Sequence, residues 1–228
     1  VRCIAQQLGC GHAGRCWPSD NGACGPETGL HKANSGSKGV ITMSVAHKWL
    51  EQEPWPTKVM PKPLLESRIE RVLTMTNIGY LGTVRKDGSP IVSPVEFYAD
   101  ALALYIFPQP NSPKVKALRR DPRVSFAVAN PMAGWACVMG AQFFGKGTLL
   151  DPDTPAWEHG MKVFKWVASG FELGKISAQP PRGQLLRIDP DRIVYTEHFM
   201  RSEGYAPRQI WTPGEDAPKV VPGRNASI

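Results

Sequence analysis

Short apolar runs separated by turn residues fill the middle of the chain, from Ile78 to Asp151. The runs are IGYLGTV, PIVSPVEFY, LALYIF and VSFAVA, and the longer strip WACVMGAQFFGKGTLLD follows them. Asp87-Gly88 joins the first two runs, and an Asp-Gly pair between β-rich segments favours a tight hairpin turn. Because such runs recur at close intervals, the pattern predicts a mainly β domain with flanking helices, built on an antiparallel sheet or small barrel.

Alternation within the second run divides its side chains between the two faces of a strand. One face carries Ile91, Ser93, Val95 and Phe97, and the other carries Val92, Pro94, Glu96 and Tyr98. Pro94 has no amide proton to give to a neighbouring strand. This part of the strand is therefore expected at a sheet edge, at a bulge or against a ligand.

Three segments are predicted to be helical. Leu64 to Met75 has apolar residues at helical spacing and charged residues on the opposite side, which is typical of a helix lying on a sheet. Pro113 to Arg120 follows a serine and starts with a proline, and both residues favour a helix start. Asp153 to Ser169 has Trp157 and other large residues recurring at three and four positions, and it stops at a glycine.

The last third of the chain is less regular. Gln184–Ile188 and Arg192–Thr196 are predicted to be paired strands joined by a turn at residues 189–191. Residues 197–228 are predicted to form a polar tail rich in proline and glycine, in which Trp211 could fold back as a lid. The end of this tail, from residue 215, is expected to be disordered.

The first part of the chain has a different composition. Residues 1–42 show no apolar periodicity and are predicted to be a disordered leader, although they hold four of the five cysteines. These cysteines lack the two-residue spacing of structural zinc sites, so no metal site is expected. Residues 43–63 contain Trp49, Trp55 and four prolines and are predicted to be an extended arm. The domain itself is expected to span residues 64–196.

Composition narrows the function classes only slightly. The 228 residues carry a formal net charge of +7, which is compatible with nucleic acid, an anionic cofactor or plain solubility. The sequence has no apolar run long enough to cross a membrane and does not open with the layout of a secretory signal. Cys137 lies in an apolar strip and is interpreted as a small buried hydrophobe. Together these features predict a cytoplasmic domain.

The start of the second helix is the clearest candidate site. Ser112 is expected to cap this helix, whose first turn carries unpaired amides and the positive end of the helix dipole. Lys114 and Lys116 add positive charge, so an anion such as a phosphate would be stabilised there. The alternative is a solvated basic helix face with Val115 and Leu118 pointing inward.

The order of these elements resembles the pyridoxamine 5′-phosphate oxidase-like, FMN-binding split-barrel superfamily. The segment YLGTVRKDGSPIVSPVEFY…LYIFPQPNSPKVKALRRDPRVSFAVAN carries the resemblance: a strand, a D-G turn, a strand with a small and proline-containing patch, an S-x-K loop, a helix and D-P-R-V-S. The resemblance implies a split antiparallel β-barrel, a homodimer and FMN bound at the subunit interface.

The resemblance also implies positions for the cofactor. Ser112, Lys114 and Lys116 would hold the FMN phosphate. Val92, Ser93 and Pro94 would lie beside the isoalloxazine ring, Ile106 and Phe107 would contact it or the ribityl chain through backbone groups, and Gln142 would approach from the partner subunit.

The sequence departs from the true pyridoxamine phosphate oxidases. Their C-terminal R-L-H-D-R motif is absent, and PRQIWTPG shares only a tryptophan with it. The sequence therefore favours a generic flavin-dependent oxidoreductase acting on a small organic substrate, with no catalytic side chain assigned. Hydride transfer is the cofactor's own chemistry, so a clear acid–base pair is not required.

Other functions stay open at this point. The same scaffold also hosts proteins that use the deazaflavin F420, and a basic surface would suit its anionic tail equally well. A non-catalytic flavin or haem binder is a further alternative. A nucleic-acid-binding barrel is not favoured, because it would interleave basic and aromatic residues along its strands, whereas the charge here is concentrated on one helix.

Overall fold

The computed structural model describes residues 53–131, 134–172, 174 and 179–221. The predicted leader, residues 1–42, and residues 43–52 of the predicted arm lie outside this part of the chain. The helices, in chain order, are α1 Lys62–Met75, α2 Pro113–Arg120, α3 Pro155–Val163 and α4 Trp166–Glu172. The strands are β1 Ile78–Val84, β2 Pro90–Glu96, β3 Tyr98–Asp100, β4 Ala103–Ile106, β5 Arg123–Ala129, β6 Met139–Leu150, β7 Leu185–Glu197, β8 Arg208–Trp211 and β9 Lys219–Val220.

All nine strands belong to one antiparallel sheet. Seven of them follow the order β2-β1-β5-β6-β7-β4-β3, and β8 and β9 extend the sheet from β7. Strands β2 and β3 are almost continuous and lie at the two ends of this order, so the sheet curls back towards itself as a half-barrel. The predicted mainly β class and the split antiparallel barrel are confirmed.

The core lies on the concave face of the sheet and is closed by α1. Leu65, Ile69 and Val72 of α1 are fully buried against strand residues such as Phe126 and Phe143. These helix residues share one face because they are spaced by three and four positions. The amphipathic pattern of this segment predicted both the helix and its position on the sheet.

The predicted pair of strands after residue 184 is wrong. Residues 185–197 form one strand, β7, which runs beside β6 along its whole length. The residues interpreted as a turn sit inside it, where Pro190 faces Gly145 and the register shifts by a bulge. A proline needs no amide bond at a bulge, so the strand continues through it.

The third predicted helix is two helices, because Phe164 ends α3 and Lys165 takes a left-handed conformation with φ of 53°. Residues 197–221, predicted to be a tail, contain a short 3-10 helix and the strands β8 and β9. Trp211 is buried in β8 opposite Ile193, and its indole nitrogen donates to Glu66 of α1 at 2.7 Å. The part of the predicted disordered end that the structure describes therefore includes a strand.

One prediction about the core is also wrong. Cys137 is exposed. It lies in a 3-10 turn, Trp135–Cys137, that precedes β6 and is not part of the strand. Its apolar neighbours in sequence gave no sign of this turn.

Candidate functional site

Helix α2 is fixed to the sheet by its inward face and its end. Val115, Ala117 and Leu118 are buried, and the Arg120 guanidinium donates to the carbonyl of Val84 at the end of β1 at 2.6 Å. The start of the helix therefore has a defined position beside β1, the neighbour of β2. No acidic residue occupies the first turn.

Ser112 occupies the N-cap position of α2 but does not make the predicted cap bond. Its hydroxyl oxygen is buried and has no hydrogen-bond partner within the described residues. The predicted cap position is right, and the predicted hydrogen bond is wrong. A buried hydroxyl without a partner costs about 1–3 kcal/mol, so this position favours a ligand that can accept its proton.

The basic residues of α2 differ in how they are engaged. Arg119 donates to the Gln184 side chain at 2.9 Å, and Arg120 is held by Val84. Lys114 is half-buried and Lys116 is exposed, and within the described residues neither side chain makes a hydrogen bond or ion pair. The uncommitted positive charge at the helix start therefore belongs to these two lysines.

Beyond the helix, the Arg123 guanidinium is committed to Asp121. Two of its nitrogens hydrogen-bond this carboxylate, one of them at 2.6 Å. The side-chain bonds from Arg123, followed by its backbone amide, lower the pKa of Asp121 to about 2. Asp121 is thus satisfied locally and does not neutralise the start of α2.

An anion is the ligand that this arrangement suits. The first-turn amides of α2 have no carbonyl acceptors within the helix, and the dipole places partial positive charge there. Ser112 and Lys114 add a hydroxyl donor and an ammonium donor within the first turn. A phosphate could accept hydrogen bonds from all of these groups.

The small and proline-containing patch of β2 lies on the outer face of the sheet. Val92 is 64% exposed, and Pro94 is also exposed. Ser93 pairs with the buried Leu81 and faces the opposite side. Ser93 can therefore meet a ligand on the outer face only through its backbone, whereas Val92 and Pro94 can offer their side chains.

Gln142 shares this outer face but lies far from the patch. The strand register places Pro94, Tyr80, Ala127 and Gln142 in one row across four strands. Three steps of about 4.8 Å separate Pro94 from Gln142, or roughly 14 Å. Within one chain, Pro94 and Gln142 are therefore too far apart to contact the same end of a flavin ring. Only a second subunit could bring its own Gln142 next to Pro94.

Ile106 and Phe107 lie at the end of β4, just before the loop that leads to Ser112. Ile106 is buried and pairs with Leu186. The Phe107 ring packs near Phe164, with ring centroids 5.9 Å apart. Both side chains are thus used in packing, so any contact with a cofactor would come from backbone groups, which is the kind of contact that the resemblance implies.

Two residues of this region were missed by the sequence analysis. Tyr80 is 56% exposed directly opposite Pro94, and the alternation in IGYLGTV could have placed it on the outer face. Glu96 follows Pro94 on that face and accepts hydrogen bonds from the Tyr98 hydroxyl at 3.2 Å and the Asn77 amide at 3.4 Å. These contacts depend on the bend between β2 and β3, for which the sequence has no signal.

The described residues contain neither a candidate metal cluster nor a membrane-spanning helix. No group of three or more histidine, cysteine, aspartate or glutamate side chains there is placed to hold a metal ion. Within the same residues, no helix is both long enough and apolar enough to cross a bilayer.

Solved structures resemble this fold at low identity. A haem-binding protein from Mycobacterium smegmatis is 20% identical with a TM-score of 0.51, over 68% of this chain and 60% of its own. ChuZ from Campylobacter jejuni is 11% identical with a TM-score of 0.52, over 71% of this chain and 64% of its own. This chain therefore matches less than two thirds of either protein, and at such identities the likeness concerns the fold.

The family of this chain is established by a family model that matches its barrel domain. A family model described as pyridoxamine 5′-phosphate oxidase matches residues 65–197. The match begins in α1, ends with β7, and includes the outer-face patch, the loop after β4 and helix α2. Because it covers more than half of the 228 residues, the chain belongs to the pyridoxamine 5′-phosphate oxidase family.

Proposed function

We propose that the protein is a homodimeric, FMN-dependent oxidoreductase that acts on a small organic substrate. The observation that carries the proposal is that the Ser112 hydroxyl, at the start of α2 next to Lys114, is buried and has no hydrogen-bond partner among the described residues. A phosphate would satisfy this hydroxyl, the first-turn amides and the ammonium group together. Family membership supports the same cofactor, because flavin binding is what the resemblance of the sequence implies.

The residues of this chain would hold the cofactor at two places. Ser112 and Lys114, with Lys116 nearby, would bind the phosphate. Val92 and Pro94 would offer an apolar surface to the ring, with the Ser93 backbone between them. Bound FMN would supply the hydride-transfer chemistry, while the protein would fix its orientation and keep water away.

A second copy of the chain completes this proposal. The outer face of β1 and β2 exposes Ile78, Tyr80 and Val92, which are 46%, 56% and 64% exposed. Apolar side chains gathered on one face are typical of a surface that another molecule covers. A partner packed there would bury the ring site and bring its own Gln142 towards Pro94, which the strand register prevents within one chain.

The direct test is a cofactor titration of the full chain. FMN added to flavin-free protein should bind with the spectral shift of an enclosed flavin, and Lys114→Gln should weaken binding by about tenfold, or ~1.4 kcal/mol. Lys86→Gln is the matched control, because Lys86 is an exposed lysine in the β1–β2 hairpin. Equal affinities of the wild type and Lys114→Gln would overturn the phosphate site.

The same protein separates the alternative functions. If the protein binds F420 but not FMN, the proposed site stands and its cofactor is F420. If FMN binds but is neither reduced by NAD(P)H nor oxidised by a panel of acceptors, the protein is a non-catalytic flavin binder and not an oxidoreductase. Failure to bind either cofactor would overturn the proposal as a whole.

A further inference from the structure

A cavity of about 410 Å³ lies between the C-terminal end of α1, strand β3 and the junction of α3 and α4. Leu73 of α1, Phe97 and Val163 of α3 form its apolar wall. Small-molecule sites in proteins fall between about 300 and 1,000 Å³ and combine an apolar lining with a few polar groups. The cavity falls within this size range, and half of its lining residues are apolar and half are polar. The family match assigns no role to it.

Lys165 supplies the positive charge of the cavity. It forms the junction of α3 and α4 in a left-handed conformation, which places its ammonium 5.5 Å from the centroid of the Tyr98 ring. Within the described residues no carboxylate lies in ion-pair distance of this ammonium. An ammonium group above an aromatic ring, on the wall of a cavity, can receive the carboxylate of a ligand.

The cavity is connected to the face that would carry the flavin ring. Tyr98 and Asn77 both line the cavity, and both donate hydrogen bonds to Glu96. Glu96 is two residues beyond Pro94 on the same face of β2. A ligand in the cavity would therefore lie next to the end of the strand that offers Val92 and Pro94.

We infer that this cavity is the substrate pocket and that it takes small carboxylic acids with a single negative charge and an aromatic or aliphatic ring. Lys165 binds the carboxylate, and the partly exposed Met75 and Val163 pack against the ring. Glu70 also lines the cavity, and with Glu96 close by it disfavours a second negative charge on the ligand. The inference rests on the proposed flavin site, since only that site makes the cavity a substrate pocket.

Benzoate is the probe for this inference, titrated into the full flavin-free chain and followed by calorimetry. We expect benzoate to bind, the uncharged benzamide and the doubly charged phthalate to bind more weakly, and Lys165→Gln to lower benzoate affinity about five- to tenfold. Lys162→Gln is the matched control, because Lys162 is an exposed lysine one turn earlier in α3. No benzoate binding, or equal affinities in Lys165→Gln and Lys162→Gln, would overturn the site.

A second titration tests the connection to the flavin face. With FMN-loaded protein, benzoate should shift the visible flavin spectrum at the concentrations at which calorimetry shows binding. Benzoate that binds through Lys165 without any spectral shift would overturn the pocket as a substrate site. Protein that binds benzoate but not FMN would refute the proposed function instead, so the two failures are distinguishable.

Discussion

Replacing Ser112 with alanine should lower the affinity for FMN without lowering the stability of the flavin-free protein. In the flavin-free protein, the Ser112 hydroxyl is buried and has no partner in the part of the chain that the structure describes. Its removal therefore breaks no hydrogen bond of the folded state. With FMN bound, the same hydroxyl is expected to donate to the phosphate, and its removal should cost that bond.

The two effects have different sizes. Relief of an unpaired buried hydroxyl should leave the free energy of unfolding unchanged or raise it by up to about 1 kcal/mol. A hydrogen bond to a charged group contributes about 1.5–3 kcal/mol. Its loss therefore corresponds to a roughly ten- to hundredfold larger dissociation constant for FMN.

Thr154 is a matched control for this prediction. It is the N-cap of α3 and, like Ser112, is followed by a proline, but its hydroxyl accepts the Trp157 amide at 3.3 Å. Thr154→Ala should therefore lower the free energy of unfolding by about 1 kcal/mol and leave FMN affinity unchanged. Urea denaturation of the flavin-free protein gives the first quantity, and fluorescence titration with FMN gives the second.

The reasoning is refuted by one combination of results. If Ser112→Ala destabilises the flavin-free protein as much as Thr154→Ala does, its hydroxyl is an ordinary cap. If the dissociation constant for FMN is also unchanged, Ser112 does not contact the phosphate. In that case the start of α2 would lose the observation that distinguishes it from the start of α3.

Two further predictions concern stability. Burial, and then the nearby Glu197 carboxylate, raise the pKa of Tyr195 in the folded protein, so the free energy of unfolding should fall as the pH rises above the unfolded pKa of about 10. Tyr195→Phe should flatten this fall, as measured by urea denaturation at alkaline pH. An unchanged slope in the variant would contradict the prediction. A Cβ on Gly145 would clash with the Asp189 carbonyl, so Gly145→Ala should cost about 1–3 kcal/mol. A Cβ on Gly134 would meet no atom of the described residues within 4 Å, so Gly134→Ala should change stability by less than about 0.5 kcal/mol. Similar unfolding midpoints for both variants would show that the bulge is not tight.

Features set by neighbouring residues could be predicted from the sequence. The Asp87-Gly88 turn is stabilised locally, since the Arg85 amide donates to the Ser89 carbonyl at 2.8 Å and Gly88 takes a φ of 84°. The two faces of β2 follow from simple alternation. Helix α2 begins where Ser112-Pro113 indicates. In each case the determining contacts lie within a few residues along the chain.

Strand β7 shows why other features could not be predicted. Asp189-Pro190-Asp191 favours a turn by local chemistry, yet these residues continue a strand because β6 pairs with them across the sheet. The bulge at Gly145 accommodates Pro190, and Gly145 is more than forty residues earlier in the sequence. A local turn preference is overridden here by a partner that sequence periodicity cannot identify.

The break between α3 and α4 has no sequence signal either. Lys165 adopts a conformation that glycine or asparagine would normally mark, and the apolar spacing continues across it. The break nevertheless matters for the proposed pocket, because Lys165 lines the cavity beside α1 and its ammonium lies 5.5 Å from the centroid of the Tyr98 ring. The proposed substrate pocket therefore could not be predicted from the sequence, because it is formed by elements that are distant along the chain.

The candidate cofactor site combines both kinds of information. Ser112 and Lys114 lie within one helix turn, so their proximity follows from the sequence alone. The separation of Pro94 from Gln142 follows from the register of four strands, which is non-local. Because about 14 Å of exposed sheet lies between them, a ring resting on Pro94 would leave one of its faces uncovered in a single chain. If the family resemblance is right about Gln142, the cofactor site requires two chains, and loss of FMN affinity on dilution to the monomer would be its simplest sign.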